Sequence, residues 1–118
     1  MNKSVVLGEN LALERCKPLH KGESPLSPEM IEGYRTLLPD WKQSGKHLVK
    51  SFKFKDFHET IGFVNALAFI ANREDHHPEL EVGYSTCLVR YGTHDVGGLS
   101  KNDFICAAKI DGFMNGCS

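Results

Sequence analysis

The stretch NREDHHPELEVGY, residues 72–84, sets His76 and His77 side by side between a run of carboxylates and Pro78. A third imidazole, His94, sits in GTHDVGG, just past an alternating segment that carries Val89 and Tyr91. Histidine suits proton transfer near neutrality, because an unperturbed pKa of about 6.5 leaves both protonation states populated. Two adjacent imidazoles and one at a strand end form a candidate acid–base set. Pro78 disfavours helical backbone at His77, so a preceding helix should end near Asp75 or His76 and the two rings should diverge. By spacing alone, histidines in ordinary surface loops fit the same pattern.

Other chemistries have weaker frames. A zinc site would draw on His76, His77 and His94 with Asp103 or Cys87, yet adjacent residues rarely converge on one ion and no H-E-x-x-H or paired-cysteine motif supports them. Cys16 and His20 have a ligand-like spacing but make only two donors. No G-x-S-x-G elbow occurs, and Cys87 within a strand reads as a small core residue rather than a nucleophile. VGGLSKN is too short for a phosphate-binding loop, so Gly97 and Gly98 read as turn residues. Asp103 has a structural reading as well: Ser100 and Asp103 match the S-x-x-D start of a helix.

The elements that must position these residues follow from periodicity. Residues 1–26, with CKPLHKGESPL, lack a period and read as an irregular arm. Ser27 and Pro28 open a helix of about three turns, with Met30, Ile31, Tyr34, Leu37 and Leu38 at helical spacing and Pro39 ending it. DWKQSGKHLVKSFKF reads as a hairpin around Ser44 and Gly45, with Leu48, Phe52 and Phe54 on one face. Asp56 and Glu59 start a long helix whose apolar side carries Phe57, Ile61, Phe63, Val64, Leu67, Ala68, Ile70 and Ala71. Phe69 falls on its polar side and suggests a second buried contact such as a subunit interface. Leu80, Val82 and Tyr84, then Cys87, Val89 and Tyr91, alternate as two strands or one bent strand. A last helix runs from Ser100 to Gly116. The order lacks strict β-α-β alternation, so the expectation is an α+β fold: an antiparallel sheet with helices packed on one face, a two-layer sandwich.

At 118 residues, with 41% hydrophobic and 25% charged residues, the chain fits one ordinary domain. A formal charge of -1 gives no basic footprint for nucleic acid or an anionic membrane. With no signal-like or membrane-length apolar run, a cytoplasmic location is expected. The four cysteines lack CxxC spacing and read as reduced thiols.

DHHPE, then Tyr84, then THDVGGLSKND followed by FICAA, together resemble the pterin-4a-carbinolamine dehydratase family. The resemblance implies a single domain over residues 27–118, a four-stranded antiparallel sheet with helices on one face, and assembly into homodimers or homotetramers. It also implies dehydration of 4a-hydroxytetrahydropterin, the product that an aromatic amino acid hydroxylase leaves of its cofactor, without a metal or other cofactor. The hydroxyl leaves C4a and a proton leaves N5, giving a quinonoid dihydropterin. By the same resemblance His76 and His94 are the acid–base pair, His77 contacts the pterin or holds the network, and Asp103 orients an imidazole or a water. Asp75 and Thr93, His94 and Asp95 would line the ring system. Members of this fold also serve as dimerisation cofactors or assembly proteins, which is the competing role. Two positions depart from the family: Asn72 stands where many members carry a glutamate, one turn before His76, and Asn102 where many carry a basic residue. Asn72 could bond His76 but adds no charge.

Overall fold

The computed structural model describes residues 10–116. After a single 3₁₀ turn at Leu11–Leu13 come helix α1 (Pro28–Thr36), strands β1 (Lys42–Ser44) and β2 (His47–Lys53), helix α2 (Phe57–Glu74), strands β3 (Glu79–Val82) and β4 (Thr86–Tyr91), a second 3₁₀ turn at His94–Val96, and helix α3 (Lys101–Gly116). The strands form one antiparallel sheet in the order β1-β2-β4-β3. This is the expected α+β architecture. Among the described residues no helix is long and apolar enough to cross a membrane.

The helix starts follow their capping residues. Ser27 accepts from the Met30 N–H with Pro28 at the first position, and Asp56 accepts from the Glu59 N–H. Glu59 reaches back to the N–H of Lys55 rather than that of the cap, a variant of the expected box. The first hairpin turns at Gly45 and Lys46, one residue later than Ser44-Gly45, because Ser44 pairs with His47. Gly45 has φ +61, the conformation a two-residue hairpin turn needs at its first central position. The second alternating segment is two strands, closed by the Gly83 N–H on the Thr86 carbonyl.

The pairing of β2 with β4 sets Leu48 opposite Tyr91, Lys50 opposite Val89 and Phe52 opposite Cys87. This face is buried against the helices, with Trp41, Leu67, Leu99, Phe104 and Ile110 completing the core. Lys50 lies on the same face but stays ionic, its ammonium reaching Asp111 of α3 at 2.9 Å and lying 4.6 Å from the centroid of the Phe52 ring. One expectation for α2 changes, and one polar residue of it is unexpectedly covered. Phe57 is half-exposed and stacks on Tyr84, whereas Glu74 is buried. The reason for the second is the arm: Arg15 and the Cys16 N–H both bond the Glu74 carboxylate, at 2.9 Å each, as the arm crosses α3. Phe69 is 67% exposed, as its place on the polar side foretold.

Candidate functional site

Helix α2 ends in a left-handed residue, Asp75, at φ 53, the one positive-φ non-glycine among the described residues. The His76 N–H closes on the Ala71 carbonyl and the Asp75 N–H on that of Asn72, the paired bonds of a Schellman ending. Aspartate tolerates this backbone better than most side chains. With Pro78 next in line the chain leaves extended, and the two imidazoles part. His76 turns inward, stacked on the buried Tyr91 ring at 5.2 Å, whose hydroxyl donates to the His76 carbonyl. His77 stays exposed, its Nε2 2.9 Å from Oδ1 of Asn72.

His76 Nε2 lies 2.6 Å from Oδ1 of Asp103, whose side chain is fully buried. The other oxygen, Oδ2, accepts from the Thr93 hydroxyl at 2.8 Å and from the Ser100 N–H at 2.9 Å. Thr93 and Ser100 hydroxyls are themselves 2.7 Å apart. Asp103 therefore closes the first turn of α3 and fixes an imidazole at once. Its partners at both oxygens supply the hydrogen bonds that a fully buried carboxylate must find within the protein.

The electrostatics of His76 follow. Burial is the largest single influence and pulls its pKa down, but the bond and charge of Asp103, with help from Cys106 and Asp75, outweigh it and leave the pKa raised above its ordinary value.

Beside this network, on the sheet face away from the core, lies an open cleft of about 460 Å³. That is a usual size for a small-molecule site. Its lining includes His77, Thr93 and His94, along with Lys46, His47, Glu79, Arg90, Gly92, Gly97 and Gly98. Thr93 both lines the cleft and donates to Asp103, so it joins the two halves of the site. Arg90 is engaged by Glu81 at 2.9 Å and by Glu79 at 3.5 Å. Three imidazoles thus face one small volume together with two basic residues, Lys46 and the carboxylate-paired Arg90.

Of the residues singled out in the sequence, His77, Thr93 and His94 line the cleft, and His76 and Asp103 form the buried pair next to it. Asp75 and Asp95 are exposed and lie outside the lining; the Asp95 carbonyl holds the Gly22 N–H instead. Asn72 bonds the second histidine and not the first, because the Schellman turn swings His76 away from the last turn of α2. Cys87 is buried in the core, and among the described residues no three His, Cys, Asp or Glu side chains gather as a metal-binding group. Sequence reasoning passed over His47, Lys46 and Arg90, which reach the cleft only through strand register. One signal was present: Gly92, whose added Cβ would come within 2.8 Å of the His47 ring and 3.1 Å of the Lys46 carbonyl.

The fold is thus a two-layer α+β sandwich that carries a histidine-lined cleft beside a partly buried His–Asp pair. The chain belongs to the pterin 4 alpha carbinolamine dehydratase family, whose model matches residues 24–113. A Bdellovibrio bacteriovorus protein provisionally named as a pterin-4-alpha-carbinolamine dehydratase is 56% identical over 99 residues, covering 80% of this chain and 82% of its own. The crystal structure of a transcriptional coactivator/pterin dehydratase from Brucella melitensis superposes with a TM-score of 0.72 at 30% identity, over 75% of this chain and 97% of that one. A pterin dehydratase-like protein described as a RuBisCO assembly factor in the alpha-carboxysome matches with a TM-score of 0.54 at 25% identity, over 62% of this chain and 87% of that one.

Proposed function

We propose that the protein dehydrates 4a-hydroxytetrahydropterin to quinonoid dihydropterin and water by histidine acid–base catalysis. The observation that carries this is the Asp103–Thr93 link, which ties a carboxylate-held imidazole to a cleft lined by three more. The reaction needs an acid for the departing 4a-hydroxyl and an acceptor for the N5 proton. With Nε2 committed to Asp103, the His76 nitrogen left to exchange a proton is Nδ1, and the raised pKa favours the protonated ring that an acid needs. His94, exposed in the cleft, serves as its counterpart, and His77, oriented by Asn72, contacts the pterin ring. No step calls for a metal. An aromatic amino acid hydroxylase is the class of enzyme that supplies such a substrate, and the exposed Phe69 supports assembly into a homo-oligomer.

A binding or coactivating role on the same fold is the second reading, favoured by the roles described for the two solved neighbours. Addition of the purified protein to freshly generated 4a-hydroxytetrahydropterin, followed by absorbance, separates them. Acceleration over the spontaneous dehydration is the expected result, and a rate equal to the spontaneous one sinks the enzymatic reading.

A further inference from the structure

We propose that Cys16 and Cys106 are an oxidative modification site, closing to a reversible disulfide that clamps the N-terminal arm onto α3, the helix that bears Asp103. The two sulfurs already lie 3.6 Å apart, although 90 residues separate them in the chain. A disulfide draws them to about 2.05 Å, a closure within reach of side-chain rotation. Both thiols are free, and the proposed dehydration uses neither.

The backbone on each side of Cys16 is held in register for this contact. The Cys16 N–H bonds Glu74 Oε1 at 2.9 Å, the Lys17 N–H bonds Asn102 Oδ1 at 3.0 Å, and the Asn102 amide returns to the Lys17 carbonyl at 2.8 Å. The second departure from the family pattern, Asn102, is therefore the residue that docks the arm. Glu74 directly precedes Asp75 and His76, and Asn102 directly precedes Asp103. A bond between Cys16 and Cys106 would staple the arm across both supports of the site.

Accessibility and acidity suit the reaction. Cys16 is half-buried and opens the pair to small oxidants, while Cys106 is buried behind it. The bond from the Cys16 thiol holds the Cys106 thiol below its ordinary value, against its own burial. With hydrogen peroxide as oxidant, one thiolate attacks an oxygen, the O–O bond breaks, and hydroxide leaves and is protonated to water. The other thiol then attacks the sulfenic sulfur, the S–S bond forms, the second hydroxide leaves as water, and two thiols have been oxidised at the expense of one peroxide. The titratable and charged groups facing the pair are Glu74 and Lys109, 3.9 Å from each other, with His76 and Tyr91 on the Cys106 side.

The test uses the full-length protein treated with hydrogen peroxide, then alkylated and mapped by mass spectrometry. The expected product is about 2 Da lighter, carries a Cys16–Cys106 cross-linked peptide, and reverts with dithiothreitol. Its melting temperature should rise by about 5 °C, because a long closed loop constrains the unfolded chain. Cys16→Ser, which leaves the buried core untouched, should give neither the peptide nor the rise. Oxygen addition at Cys16 alone, a cross-link to Cys87 or Cys117, or no cross-link overturns the proposal. A Cys16–Cys106 bond that leaves the melting temperature unchanged or lower overturns the clamp. The mapping needs no pterin chemistry, so its outcome is independent of the dehydratase reading.

Discussion

The Nε2 of His76 lies 2.6 Å from Oδ1 of Asp103, and the second oxygen of that carboxylate closes the first turn of α3 through the Ser100 N–H. One buried group thus sets the charge state of the imidazole and the position of the helix beneath it. Asp103→Asn keeps the shape but replaces acceptors by donors. It should lower the His76 pKa, measured by NMR titration of the ring, and cost about 3 kcal/mol of stability in urea unfolding. An unmoved titration would show that Asp103 does not govern the imidazole.

Stability should depend on pH through the same pair. The folded-state pKa of His76 is raised above the ordinary 6.5, so its contribution is complete below that value and is lost as pH rises through the folded pKa. Urea midpoints compared at about pH 6 and about pH 9 should fall toward the alkaline end. In His76→Asn that part of the slope should vanish; a slope equal to that of the wild type would assign the effect to other groups.

Gly92 lets the cleft wall close on itself. In Gly92→Ala the new methyl meets the His47 ring and the Lys46 carbonyl, so the ring must swing and the hairpin must shift. Overpacking of this kind costs about 1 to 3 kcal/mol. Calorimetric binding of a reduced pterin should weaken, with a lower melting temperature. Binding and melting both as in the wild type would show that the approach is not constrained.

Asn72 orients His77 without charging it. Asn72→Glu would set a carboxylate against that ring, and an opposite charge nearby favours the protonated form. The NMR titration of His77 should shift upward while that of His76 stays in place. A shift in His76 instead would mean that the side chain at 72 reaches the first imidazole.

Much of this was legible beforehand because local rules decided it. Ser27-Pro28, Asp56 and Ser100 with Asp103 mark the helix starts, and Pro78 marks where α2 must release the chain. The DHHP and THD strings located the imidazoles. What stayed hidden depends on long-range contact. His47 enters the cleft because β2 pairs with β4 in a register that no local signal specifies. Glu74 reads as a solvated residue until the arm brings Arg15 and the Cys16 N–H to it. The partner of Asn72 turned on the left-handed Asp75, a single dihedral that redirects His76.

The account rests on imidazoles that move protons. Its most direct test is the initial rate of 4a-hydroxytetrahydropterin dehydration for the wild type, His76→Ala and His94→Ala, with circular dichroism confirming each fold. The expected result is a loss of about 10²-fold or more in each variant. Wild-type rates in both folded variants would contradict it.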